Sequence, residues 1–231
     1  MSFRMKLAQL RSCLRGLRSD RSGVALIEFA YVLPILLVLG VGGLELSNLA
    51  VMNLRVSQAA MHIGDNASRI GDRDILSAQK IYEGDIEDLF IGVNIQSGAQ
   101  TDLFEHGRVI ISSLERNADG GQWIHWQRCM GKKNVASAYG GQGTGATGTG
   151  FAGMGLAGQE LQATTGQAVI FVEIFYDYQP LIGNEYARSF VNLTQIKTSA
   201  AFNVRGARDL SQIYQRSDPS PVHSCNKFEA L

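Results

Sequence analysis

The sequence predicts an α+β protein in which a long N-terminal transmembrane helix leads into a domain with an antiparallel sheet of about four strands. Three observations carry this prediction. An uncharged run, residues 29–44, separates two glutamates; apolar residues then recur at helical spacing as far as residue 70; and segments after residue 106 alternate β-branched or aromatic residues with polar ones. The 231 residues suffice for one domain plus an appendage.

The net charge of zero, from 21 basic and 21 acidic residues, hides an asymmetry. Residues 1–23 contain six basic residues and one acidic residue, a net charge of +5, so residues 24–231 carry −5. Nucleic-acid binding depends on clustered positive charge, and no nucleic-acid partner is therefore expected. Because cation-rich segments remain in the cytoplasm, residues 1–23 are interpreted as a cytoplasmic leader, with the bulk of the chain across the membrane.

Residues 24–46 form the predicted transmembrane helix, since a bilayer core requires about 20 apolar residues. A removed signal peptide is the alternative, but its apolar stretch is only about 7–15 residues long and ends in a small-residue cleavage site that is missing here. Pro34 predicts a local bend of the helix, with a tolerated membrane proline as the alternative interpretation. Nearby glycines would permit close helix contact: Gly40, Gly42 and Gly43.

Glu28 is the one charged residue within residues 22–44. A carboxylate at the centre of a spanning helix costs about 2.5–3.5 kcal/mol, and less near the interface, so it requires a partner or a task. A position at the headgroup level is one interpretation. The other follows from Gly23, because cleavage after Gly23 would give Val24 a cationic amine and make Glu28 the fifth residue of the mature helix.

The run RSGVALIEFAYVLP, residues 21–34, resembles the start of TadE-like proteins, the minor pseudopilins of the tight-adherence (Tad/Flp) pilus system. The family's processing motif is a glycine, four residues, a glutamate and an aromatic residue. By this resemblance Gly23 precedes the cut, Val24 becomes the first mature residue, Glu28 the fifth and Phe29 the sixth. The resemblance implies cleavage by a prepilin peptidase and assembly with the major pilin and other minor pseudopilins of a type IV pilus.

The resemblance extends over about residues 18–60 and implies a pilin-like outer domain. It implies an inner-membrane protein with a cytoplasmic N-terminus and a periplasmic domain, its incorporation into the pilus or secretion with it, and a part in cell adhesion and biofilm formation. Glu28 of one subunit would neutralise the Val24 amine of the next, which sets the axial stagger between subunits. A TadF- or TadG-like component is an alternative, as is an uncleaved, membrane-anchored binding or adhesin domain.

Residues 47–71 are predicted to continue the helix beyond the membrane. An apolar stripe with steps of three and four residues ends at Gly71: Leu49, Met52, Val56, Ala59, Ile63, Ala67 and Ile70. A continuous helix over residues 24–70 would be about 70 Å long, and only about 30 Å of it crosses the hydrocarbon. The remainder must pack on the protein's own sheet or on a neighbouring helix.

Residues 72–231 form the predicted extracytoplasmic domain, with mixed helix and loop over residues 72–105. The acidic stretch 83–88 is expected to be solvated, since the twelve-residue calcium-loop pattern is absent. Strands are predicted at Arg108–Leu114, Gln122–Arg128, Ala168–Tyr178 and Ile196–Arg205. A glycine-containing turn at 117–121 joins the first two as a hairpin, and Trp123 and Trp126 are expected on opposite faces of their strand.

Nine of the 19 residues in the segment 140–158 are glycine. A phosphate-binding loop would need a Gly-Lys-Ser/Thr ending, which is absent. The segment is therefore interpreted as a flexible surface loop, and deletion of residues 141–157 is expected to leave folding intact but to weaken pilus assembly. Its Phe151, Met154 and Leu156 could dock on a partner.

Cys129 and Cys225 are the two cysteines outside the leader, which contains Cys13. In an oxidising compartment they predict a disulfide, with two buried thiols as the alternative. Closing so long a loop would add at most about 4–5 kcal/mol. The four histidines lack metal-ligand spacing and no nucleophile signature is present, so no catalytic activity, metal, cofactor or small-molecule substrate is expected.

Overall fold

The computed structural model describes residues 22–72, 77–181 and 195–231. The helices are α1 (Ser22–Ala67), α2 (Glu83–Ser97) and α3 (Leu103–His106). The strands are β1 (Gly107–Arg116), β2 (Gln122–Met130), β3 (Met154–Leu156), β4 (Gln159–Leu161), β5 (Val169–Asp177) and β6 (Gln195–Asn203). The chain divides into two compact units, Met1–Ser47 and Asn48–Leu231. The predicted leader and Cys13 lie outside the described residues.

The described part of the first unit is helical and apolar. The helix assignment continues through Pro34, and the apolar side chains on all sides of residues 24–44 are exposed. Helix α1 is long and apolar enough to cross a membrane. A single apolar helix in this position supports a single-pass membrane anchor.

The second unit contains a four-stranded antiparallel sheet in the order β2-β1-β5-β6, which confirms the predicted α+β class. All four long strands lie where the alternating segments predicted them, within two residues at each end. Strands β1 and β2 form the predicted hairpin. Strands β3 and β4 form a separate small hairpin inside the stretch that the sequence assigned to loop.

Residues 48–67 of α1 cover one face of the sheet with their apolar stripe. Leu49, Met52, Val56, Ala59, Ile63 and Ala67 are buried in one core with sheet residues such as Val172 and Ile174, while Ile70 is partly buried at its margin. Gly64 permits the closest approach, because a Cβ there would lie 2.6 Å from Cδ2 of Phe202. Of the two predicted arrangements, packing on the protein's own sheet is the one observed.

The glycine-rich segment packs on the opposite face of the sheet through a few apolar residues, although most of its residues are exposed. Met154 is fully buried and shares a core with Leu114, Ile124 and Phe171, and Phe151 packs against that core. The prediction missed this because glycine count says nothing about the few apolar residues between the glycines. Of the three residues proposed for docking on a partner, Leu156 alone is exposed.

Two further expectations are wrong. Trp123 and Trp126 lie on one face, because they pair with Glu115 and Ser113, and a β-bulge between Ser113 and Leu114 absorbs the extra residue. Trp126 is buried and Trp123 is half-buried.

The acidic stretch is also not uniformly solvated. Glu83 is buried, and Arg128 Nε donates to its Oε2 at 2.9 Å. The two residues are 45 positions apart in sequence and form a buried ion pair. No local sequence pattern indicates that they meet.

Candidate functional site

The residues of the predicted processing motif all lie at the start of helix α1. Gly23 is the second residue of the helix, and no atom lies within 4 Å of a Cβ built on it. Val24 and Phe29 are 50% and 58% exposed, and Glu28 is exposed as well. Every group that processing and docking would use is therefore accessible in the described structure.

Val24 and Glu28 are four residues apart in a continuous helix. They lie on the same face, about one turn and 6 Å apart along the axis. A carboxylate in this position would lie close to an amine on Val24 of its own chain, and also within reach of the helix start of an adjacent chain displaced along the axis. One face of the helix thus carries both the position of the future amine, Val24, and the carboxylate, Glu28.

The residues after Phe29 make this stripe part of an apolar surface. Tyr31 is 75% exposed, and Leu39 is 67% exposed in the middle of the uncharged run. An exposed apolar cylinder of this length requires lipid or other helices around it. Within it Glu28 is the one acidic group before Glu45.

A family model described as TadE-like protein matches residues 23–63. The chain carries a TadE-like segment. This segment begins at Gly23 and ends within α1, so it contains the motif residues and excludes the sheet. No curated protein and no solved structure matches the chain. The match supports a component associated with a Tad pilus.

In the part of the chain that follows the TadE-like segment, a disulfide joins Cys129 and Cys225, with a Cα–Cα distance of 4.8 Å. Cys129 lies near the end of β2, and Cys225 lies in the C-terminal tail, residues 217–231. The bond attaches this tail to the sheet. Sequence reasoning proposed this pair from its compartment and from the exclusion of Cys13.

Sequence reasoning missed Arg108, which binds the same tail. Its guanidinium is almost completely buried and donates to the carbonyl oxygens of Gly131, Cys225 and Lys227 at 2.7–3.1 Å. The ring of Phe228 lies 4.2 Å from its Cζ. Burial lowers the pKa of the Arg108 guanidinium from its ordinary value. A basic residue directly before the apolar run 109–111 was the available signal.

The polar cluster that most resembles a catalytic arrangement lies on β1 and β2. Ser113 Oγ donates to Glu115 Oε1 at 2.7 Å, and His125 Nδ1 lies 2.8 Å from Glu115 Oε2. A nucleophilic serine needs its hydroxyl on the histidine, whereas here both groups contact the carboxylate. Within the described residues no group of three or more histidine, cysteine or acidic side chains could hold a metal ion.

Proposed function

We propose that this chain is a minor pseudopilin of a tight-adherence (Flp type IV) pilus, processed by a prepilin peptidase after Gly23. The observation that carries the proposal is the family match over residues 23–63. That match begins at the residue before the proposed cut and includes Val24, Glu28 and Phe29. The exposure of these residues on a lipid-compatible helix agrees with it.

Cleavage would prepare the helix for assembly. Removal of residues 1–23 takes away a net charge of +5 and leaves an ammonium group on Val24. In the low dielectric of the bilayer, this ammonium and the Glu28 carboxylate of an adjacent subunit attract each other far more strongly than in water. Glu28 is thus a positioning residue that sets the stagger between subunits.

The partners and location follow from this assignment. The partners are the prepilin peptidase, the major pilin and the other minor pseudopilins, within the inner membrane. The N-terminus lies in the cytoplasm and the outer domain in the periplasm. A disulfide between Cys129 and Cys225 is consistent with an oxidising compartment for the outer domain.

Mass spectrometry of the protein from its native membranes tests the proposal. We expect a mature chain that begins at Val24, and we expect Gly23→Ala to block its formation. Glu28→Gln should be processed but fail to assemble, whereas Glu28→Asp, which keeps the charge, should retain part of the assembly. Persistence of the intact 25.1 kDa chain together with normal assembly of Glu28→Gln would identify an uncleaved anchored domain instead.

A TadF- or TadG-like role within the same system is the second candidate. Components of this kind share the short leader and the single spanning helix, so these features do not separate the two roles. The family match over residues 23–63 is what favours the TadE-like role. Complementation of strains that lack one such component each would distinguish these roles.

A further inference from the structure

The two edges of the four-stranded sheet differ in how the chain covers them. At the β2 edge, the glycine-rich segment and the C-terminal tail both pair with the strand and its immediate continuation. Backbone hydrogen bonds of 2.7–2.9 Å join Ile124 to Thr144, Gly143 to Ile124, Cys129 to His223, and Gly131 to Glu229. The protein therefore seals this edge with its own backbone, and the disulfide fixes the seal.

Among the residues that the structure describes, none covers the β6 edge in this way. Strand β6 pairs with β5 over nine residues in one unbroken register, and among residues 22–72, 77–181 and 195–231 no strand pairs with its outer side. The Val204 N–H donates to Ala168 O at 2.9 Å, so the antiparallel alternation turns even-numbered residues toward β5 and odd-numbered residues outward. Arg205 follows this alternation, because its N–H leaves the sheet and donates to Ser68 O at 3.2 Å.

The β6 edge also lacks the usual protection against pairing. Exposed edge strands are commonly blocked by proline, a bulge or charged side chains. Strand β6 contains no proline and no bulge, and its single charged residue is Lys197. The Nζ of Lys197 lies 5.0 Å from the centre of the Phe175 ring, over the face of the protein's own sheet. The remaining outward positions include the exposed Ser199 and Asn203.

We propose that the outer edge of β6 accepts an extended strand from a second protein, which becomes the fifth strand of the sheet. Main-chain hydrogen bonds to the outward groups of residues 197–203 would supply the affinity. The fitting segment is uncharged and rich in small or β-branched residues opposite 198–202, with an acidic residue beside Arg205. The Arg205 side chain is 63% exposed, and its ion pair with Asp65 is 3.7 Å long, which leaves the guanidinium accessible to a further carboxylate.

A second copy of this chain fits the edge less well. Tyr178, close to the start of β6, is bonded to Asn48, whereas Phe202 at the end of β6 packs over Gly64. Strand β6 thus runs in the same direction as residues 48–67 of α1. Antiparallel pairing of two β6 strands would set residues 48–67 of the two copies in opposite directions, and β6 itself contains no acidic residue to place beside Arg205. The proposal goes beyond the pilus assignment and does not depend on processing at Gly23.

Residue-resolved amide exchange tests the proposal. It compares the full-length protein purified in detergent with the chemically crosslinked complex isolated from native membranes. We expect the outward amides of residues 197, 199, 201 and 203 to exchange about tenfold or more slowly in the complex. The amides of residues 198, 200 and 202, already bonded to β5, should not change. Uniform protection, or none, would overturn the proposal, and a crosslinked partner with the mass of this chain would overturn the assignment to a second protein.

A matched pair of variants provides an independent test. Ser199→Pro removes an outward N–H that the β5–β6 ladder does not use, whereas Ser199→Thr keeps it. We expect Ser199→Pro to fold with an unchanged melting temperature and to lose the complex, and Ser199→Thr to retain it. A complex that survives Ser199→Pro would contradict strand addition. If Ser199→Pro lowers the melting temperature, loss of the complex no longer tests strand addition. The alternating exchange pattern of the wild-type complex then decides between strand addition and its absence.

Discussion

The guanidinium of Arg108 donates a 2.7 Å hydrogen bond to the carbonyl oxygen of Cys225, the residue whose sulfur is bonded to Cys129. Covalent and non-covalent attachments of the C-terminal tail therefore meet at one residue. Arg108 lies on β1 and Cys129 on β2, so the tail is bound to two adjacent strands. The tail is thus an integral part of the sheet edge and contributes to the stability of the whole outer domain.

Removal of the disulfide tests this attachment. Cys225→Ser should lower the free energy of unfolding by up to about 4–5 kcal/mol, because a closed loop of this length restricts the unfolded chain. Denaturant titration of the full-length protein in detergent, followed by tryptophan fluorescence, measures the change. Cys13→Ser is the matched control and should leave stability unchanged. Equal stability of Cys225→Ser and the wild type would show that Arg108 alone suffices to hold the tail.

The buried ion pair between Glu83 and Arg128 should be much more important for stability than exposed pairs. Both side chains are almost completely buried, and removal of one partner leaves the other charge unpaired. Glu83→Gln should therefore destabilise the domain by about 3–5 kcal/mol. Glu105→Gln, which removes the exposed partner of Lys132, should cost only about 0.2–1 kcal/mol. Similar losses of unfolding free energy in the two variants would contradict a stabilising role for the buried Glu83–Arg128 ion pair.

The glycine-rich segment should be sensitive to substitution wherever its backbone approaches the sheet. Gly145 has φ +76°, and a Cβ there would lie 2.3 Å from Gln122 O. Gly145→Ala should lower stability by about 2 kcal/mol or more, because it combines backbone strain with a collision with main chain. Gly141→Ala, where no atom lies within 4 Å, is the control and should change stability by less than about 0.5 kcal/mol. Thermal unfolding measures both.

Local periodicity accounts for the parts of the fold that the sequence could predict. The stripe from Leu49 to Ala67 has a single period and packs on a single surface, so both the helix and its buried face could be read directly. The four long strands alternate over at least seven residues and could be found in the same way. The segment before Pro34 could be assigned to the TadE-like family because the spacing of Gly23, Glu28 and Phe29 matches the processing motif of that family.

The remaining features depend on contacts between residues far apart in sequence. The prediction that Trp123 and Trp126 lie on opposite faces was wrong, because one bulged residue between them shifts the alternation of side chains along the strand. Burial of Met154 and of Glu83 arises from packing across the sheet and from a partner in another element. No local pattern contains this information, and the position of β6 at one edge of the sheet is likewise visible only from the strand order.

The stability of the outer domain should fall in alkali through Tyr176. This residue is fully buried and donates its hydroxyl to Thr101 O at 2.8 Å. Burial, followed by the nearby carboxylates of Asp102 and Asp177, raises the pKa of Tyr176 from 10 to about 12. Because the folded state favours the protonated phenol, its contribution is complete below pH 10 and is lost as the pH rises to about 12.

Comparison with Tyr176→Phe isolates this contribution. At neutral pH the variant should be less stable by about 0.5–1.5 kcal/mol, since the hydrogen bond to Thr101 is gone. Between pH 10 and 12 the wild type should lose stability that the variant keeps, so the difference between them should shrink and then reverse. Denaturant midpoints at each pH measure the difference, and tyrosinate absorbance reports the ionisation itself. A difference that stays constant over this range would show that Tyr176 ionises equally in the folded and unfolded states.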